Sequence, residues 1–145
     1  MEIQQLSRGG HLAASISNLV VRALAEYTGR GPTKARTTIG ENVIVVVVQD
    51  ARTKGERVLA AKGDAQAVLD IRKRYQVAMS DEVVGAVEQL TGRHVVAFMS
   101  DNHIDPDVAV EVFVLEPPSA VHEVQATGDA GDFEEPLDGV GPPDE

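Results

Sequence analysis

The sequence predicts an α+β fold: an antiparallel sheet of about four strands, built as two hairpins and packed against helices, in the order α-ββ-αα-ββ. Three observations lead there. Apolar residues from Leu12 to Tyr27 and again from Val68 to Leu90 recur at steps of three and four, and two pairs of β-branched runs are each interrupted by turn-forming residues. Both helix-like stretches of the second half carry start and stop signals.

In the first helix, Leu12, Ile16, Leu19, Val20, Ala23, Leu24 and Tyr27 fall on one face. Gly9-Gly10 is expected to bound it on the N-terminal side, and Gly29 followed by Pro32 to stop it. The first hairpin follows, with arms Arg36–Ile39 and Val43–Gln49 around the turn Gly40-Glu41-Asn42. Residues 43–48 carry no polar alternation, so this arm is expected in the middle of the sheet, with both faces covered or one of them covered by a partner.

Thr53-Lys54-Gly55-Glu56 has the capping-box spacing, in which the threonine hydroxyl accepts from the backbone N–H three residues on and the glutamate reaches back. A short helix to about Ala61 should follow. Gly63 ends it, Asp64 caps a longer helix, and Gly92 ends that one; Val68, Ile71, Tyr75, Met79, Val83, Val87 and Leu90 form its expected apolar stripe. Arg72-Lys73-Arg74 is read as a solvated face.

The last unit reads as a second hairpin, His94–Ser100 and Asp107–Leu115, with a tip at Asp101-Asn102-His103-Ile104-Asp105-Pro106. In its final arm Val108, Val110, Val112 and Val114 share one face, and Ala109, Glu111, Phe113 and Leu115 the other. Pro117-Pro118 closes the unit, since proline offers no ladder donor.

The charge divides the chain. Of the formal net charge of −10, residues 117–145 hold eight acids and no Lys or Arg, leaving −2 on residues 1–116. With five prolines and four glycines, residues 117–145 are expected to be a disordered acidic tail following one domain over 10–116. Zero cysteines exclude disulfides and thiolate chemistry, which suits the cytoplasm. The start Met1-Glu2-Ile3-Gln4-Gln5 lacks secretory character, and no apolar run approaches the roughly 20 residues of a membrane span.

Two clusters are candidate sites. Arg30, Gly31, Thr33, Lys34 and Arg36 form a cationic, glycine-containing loop with no acid between Glu26 and Glu41, suited to a small anion or a partner surface. The alternative is a helix stop whose cations sit near helix carbonyls or acidic neighbours. A nucleotide-hydrolysing P-loop does not fit, because G-x-x-x-x-G-K-[ST] spacing is absent and the order is helix, loop, strand. Asp101, His103, Asp105 and Asp107 crowd the second tip and, with His94, offer oxygen and imidazole ligands; the alternative is plain turn chemistry. No H-E-x-x-H pair, calcium-loop spacing or G-x-S-x-G elbow is present, so the sequence implies neither a metal or other cofactor nor a catalytic residue. Few aromatics are free to stack on bases, which argues against nucleic acid.

Ile16-Ser17-Asn18 opening a helix, Tyr27-Thr28-Gly29-Arg30-Gly31-Pro32-Thr33-Lys34-Ala35-Arg36, Val45-Val46-Val47-Val48, Leu90-Thr91-Gly92-Arg93, Phe98-Met99-Ser100-Asp101 and the run from Asp105 to Leu115 together resemble the MpsC-like family, over roughly residues 10–116. This was long a bacterial domain of unknown function. The resemblance implies association with a sodium-translocating, membrane-potential-generating system whose membrane-embedded subunits carry out the transport. The expected role is a soluble bacterial accessory or regulatory protein with a membrane-transport or signalling partner and no turnover of its own. The competing expectation is a small-anion or nucleotide-binding module using the Gly29–Arg36 loop. The apolar 43–48 strand permits a homodimer.

Overall fold

The computed structural model describes residues 2–117. The acidic tail foreseen for 117–145 therefore lies, beyond Pro117, outside the described residues. Helices α1 (Glu2–Thr28), α2 (Lys54–Ala61) and α3 (Ala65–Thr91) accompany strands β1 (Lys34–Ile39), β2 (Val43–Gln49), β3 (Val95–His103) and β4 (Val108–Leu115). The order is α-ββ-αα-ββ, and one antiparallel sheet runs β1-β2-β4-β3. Each hairpin thus contributes one inner strand, with β1 and β3 at the edges.

The core lies between the sheet and the helices. Ile16, Val20, Ala23 and Leu24 of α1 and Met79, Val83 and Val87 of α3 meet Ile44, Val46 and Val48 of β2 and Ala109, Phe113 and Leu115 of β4. At about 25 cal/mol per Å² of apolar area, each fully buried aliphatic side chain contributes about 1.5–3 kcal/mol. Phe98 and Phe113, opposed across β3 and β4, stack at 4.9 Å between ring centroids.

The helix signals operate as chemistry. Thr53 Oγ1 accepts from Glu56 N at 3.2 Å while Glu56 Oε1 accepts from Thr53 N at 3.0 Å, so the capping box satisfies two otherwise orphaned donors. Asp64 accepts from Ala67 N. Gly92, at φ 67, donates back to Glu88 O at 2.8 Å and ends α3 in the left-handed conformation that glycine adopts without a Cβ penalty.

Four expectations are corrected. First, α1 does not begin after Gly9-Gly10 but runs through them from Glu2: two glycines cost about 1 kcal/mol each in a helix, which does not by itself terminate one. Second, β1 begins at Lys34 and β3 extends to His103, so Asp101, Asn102 and His103 are strand residues and the tip is confined to 104–107. Third, the buried stripe of α3 passes through Val68, Arg72, Gln76, Met79, Val83 and Val87; Ile71 and Leu90 are exposed. Arg72 is therefore not part of a solvated face. Fourth, β2 is central as expected, but of the two alternatives for its faces the one with both covered does not hold within the chain, because only one face is buried. Ile44, Val46 and Val48 are fully buried, whereas Val43 is exposed and Val45 and Val47 are half-buried.

The outer face follows from the register. Pairing opposes Val43 to Val114, Val45 to Val112 and Val47 to Val110, and continues these rows to Ala97, Met99 and Asp101 of β3. On the β1 side Arg36 pairs with Val47 and Thr38 with Val45. Cross-strand partners share a face, so a valine field lies opposite the helices, with Arg36 at one edge and Asp101 at the other. Met99 within it is 54% exposed.

Candidate functional site

The cationic loop is knitted into the β2–α2 connection. Gly29 takes φ 79 and donates to Ala25 O at 2.9 Å, ending α1. Gly31 passes close to the helix: a Cβ there would meet Ala25 Cβ and Val21 Cγ1 at 3.4 Å. The chain then places Arg30 so that Nη1 donates to Asp50 O and to Arg52 O at 3.0 Å, while Nη2 donates to Asp50 Oδ2 at 3.0 Å. Thr33 Oγ1 donates to the same carboxylate oxygen at 3.0 Å. Hydrogen bonds from Arg30 and then Thr33 hold the Asp50 carboxyl below its ordinary pKa. Asp50 is, among the described residues, the non-glycine residue at positive φ, 54, and these contacts hold that conformation.

Lys34 and Arg36 lie apart from this clamp. Both are exposed and, two residues apart on β1, project from the outer face of the sheet. Among the described residues neither has an acidic partner at salt-bridge distance.

The acidic group of the second hairpin does not converge. Asp107 turns to the β2–α2 connection, where Oδ2 accepts from Arg52 N at 2.9 Å. Arg52 Nε lies 3.4 Å from the same oxygen, an ion pair in which that buried N–H makes no hydrogen bond among the described residues. Asp101 Oδ1 accepts from Asn102 N at 2.8 Å, and His103 Nδ1 donates to Pro106 O at 2.9 Å. Asp105 is exposed, and its bond to Pro106 is cis. His94 is elsewhere, with Nδ1 2.7 Å from Glu88 Oε2. Bonds from Val95 N and then His94 depress the pKa of Glu88. Among the described residues no three His, Cys, Asp or Glu side chains form a metal-holding group.

A third group of buried polar side chains runs from the α2–α3 contact to the inner face of the β3–β4 hairpin. Glu56 and Arg72 form a buried bidentate pair, Nε to Oε2 at 2.7 Å and Nη2 to Oε1 at 3.2 Å. One turn on, Gln76 and Asn102 exchange amide hydrogen bonds at 3.1 and 3.0 Å, tying α3 to β3. Ser100, paired with Glu111 across the hairpin, donates its hydroxyl to Glu111 Oε2. The Glu111 side chain is 0% exposed and its Oε1 has no partner among the described residues. Burial pushes its carboxyl up to about 7, against the opposing effect of the Ser100 bond. Ser100 also lines a surface depression of ≈ 440 Å³ with Lys73, Gln76, Ser80, Asp81 and Phe98. Chemically, Ser100 and Glu111 form a hydrogen-bonded hydroxyl–carboxyl pair, with the serine at the wall of that depression and the carboxyl buried behind it.

The sequence reading did not single out Glu56, Arg72, Gln76 or Glu111 as a set. A signal was present for three of them, Arg72, Gln76 and Glu111. The stride 68, 72, 76, 79, 83, 87 is as regular as the apolar one, and the alternation of β4 already put Glu111 with Ala109, Phe113 and Leu115.

Comparison with known families gives a match to the family described as "Na+-translocating membrane potential-generating system (MpsC)", over residues 8–117. No curated protein and no solved structure matches.

Proposed function

The chain belongs to the MpsC family, and from that premise we propose that it is a soluble, cytoplasmic accessory partner of a sodium-translocating, membrane-potential-generating system, acting by binding a protein rather than by turnover. The observation that carries this reading is the extent of the match, which takes in every strand and the helices α2 and α3 whole. No helix of the described residues is long and apolar enough to cross a membrane, which accords with ion passage through other subunits. The test pairs two measurements: membrane potential in a deletion strain, and affinity capture on the tagged full chain. The expected result is a reduced potential, and capture of a protein with membrane-spanning helices. A normal potential with no such partner captured overturns the reading.

A second reading, a small-anion module at the Gly29–Arg36 loop, is favoured by one observation: Lys34 and Arg36 stand exposed and unpaired among the described residues. Arg30 and Thr33 are meanwhile held by Asp50. An anion at about 100 times its dissociation constant adds about 2.7 kcal/mol of stability. A thermal-shift series with phosphate, carboxylates and nucleotides should therefore raise Tm in the native chain and not in the Lys34→Ala, Arg36→Ala double variant. A flat response in the native chain removes this reading.

A further inference from the structure

Beyond the family reading, and independent of it, we propose that the outer sheet face is the interface of a homodimer, in which a two-fold axis parallel to the strands lays the β1 edge of one copy over the β3 edge of the other. The chemistry of the face sets its occupant. Its interior is Val43, Val45, Val47, Val110, Val112 and Val114, with Met99 beside them on β3. All three helices contribute elsewhere: α1 and α3 pack on the opposite face, and α2 packs on α3. Four strands about 4.8 Å apart and about seven residues long at about 3.4 Å each give a face of about 19 by 24 Å, or about 450 Å² per copy in projection. That is the size of a weak to moderate interface, so the dimer is expected to dissociate in the micromolar range.

Charge chooses the arrangement. Arg36, Val47, Val110 and Asp101 form one row straight across the sheet, with the cation on one edge strand and the carboxylate on the other. A two-fold parallel to the strands, passing between β2 and β4, exchanges the two edges and keeps the row. Each Arg36 then faces an Asp101, twice per dimer. A two-fold across the strands instead sets β1 on β1, where the outward residues are Lys34, Arg36 and Thr38, and opposes no acid to either cation. Stacked sheets rotate by about 30° relative to each other. For an edge strand about 7 Å from the axis this is a displacement of about 4 Å, within the reach of an arginine side chain. The adjoining row, Lys34 to His103, lies at the rim of the interface.

Sedimentation of the full chain over a micromolar concentration series tests this, read beside circular dichroism and Tm to confirm folding. The expected result is a reversible monomer–dimer equilibrium. Val110→Lys, central on the face, should leave a folded monomer. Arg36→Asp and Asp101→Arg should each weaken association at least tenfold by opposing like charges, and the double reversal R36D/D101R should restore it. A full chain monomeric throughout the series, its face taken by its own residues 118–145 or by another protein, overturns the proposal. A dimer indifferent to Val110→Lys also overturns it, as does a double reversal no better than the single ones.

Discussion

The two faces of the sheet invert the usual division of residue types. The inner face, sealed by α1 and α3, holds a carboxyl at Glu111 with one unsatisfied oxygen, while the outer face carries a field of valines in contact with solvent. Both faces come from the same four strands and the same period of two, so the contrast lies in which side chains were assigned to which face. Buried polar groups cost stability unless paired, and exposed apolar fields mark surfaces that meet something. The inner face is therefore the place to look for fixed internal interactions, and the outer face for association.

The largest loss is expected on the helix side of the sheet, at the Glu56–Arg72 pair that joins α2 to α3. Arg72→Met keeps an aliphatic stem of similar length but leaves the Glu56 carboxylate buried with only Thr53 N for a partner. Removing one member of a buried ion pair costs about 3–5 kcal/mol. Urea unfolding should show the midpoint falling by that equivalent with the slope unchanged. A loss below about 1 kcal/mol, the range of exposed pairs, would mean that water reaches the pair and that the contact between α2 and α3 is less sealed than its burial indicates.

Glu111 supplies a pH signature of the inner face itself. Its carboxyl is raised from 4.5 to about 7 in the fold, so between those values the folded chain holds a proton that the unfolded chain has released. Stability then falls as pH rises through this window, by about 3 kcal/mol in total, with none of the cost present below 4.5 and all of it present above about 7. Asp50 and Glu88, both depressed, act with the opposite sign at acid pH: what they contribute is present above their unfolded values and lost as pH falls through their folded ones. Of these three carboxyls, Glu111 is the one that lowers stability between mildly acid and neutral pH. Glu111→Gln should flatten it and make the protein more stable than the native chain at pH 8, measured by denaturant midpoints across the range.

These residues mark where sequence reading succeeds and where it stops. The elements were legible because their signals are local: the Thr53 and Asp64 caps, the Gly92 stop and the alternation of β4 each depend on a few neighbouring residues. Arg72 was misassigned because its surroundings in sequence, Lys73 and Arg74, are solvent-facing cations, while the residue that neutralises it is sixteen positions away. Arg30 belongs to the same class. Its acceptors at Asp50 and Arg52 lie twenty and twenty-two residues downstream, so the loop's composition announced a cationic patch without disclosing that its first cation was already engaged. Gly9-Gly10 failed for the reverse reason, since a local propensity of about 1 kcal/mol per residue yields to a helix that continues on both sides. The outer face was half legible: the valine run of β2 allowed either two covered sides or one left for a partner, and only the sheet order with all helices on one side reveals which side is open.

The mildest substitutions give the sharpest comparison of the faces, because Val and Thr share a shape and differ by a hydroxyl. Val48 is fully buried on the inner face between Ala35 and Ala109, neither of which offers its side chain as a hydrogen-bond partner. A hydroxyl placed there without a partner costs about 1–3 kcal/mol. Val112 occupies the outer face between Val45 and Met99 and is half-buried, so a hydroxyl there keeps access to water and should change the stability of the dilute chain by no more than about 0.5 kcal/mol. Val48→Thr and Val112→Thr are to be compared by urea unfolding at concentrations low enough to exclude association. Raising the concentration should then open a second difference, with Val48→Thr retaining the association of the native chain and Val112→Thr losing part of it. Equal costs for the two substitutions in dilute solution would mean that the outer valines are as sealed as the inner ones within a single chain, leaving no open face for a second copy to cover.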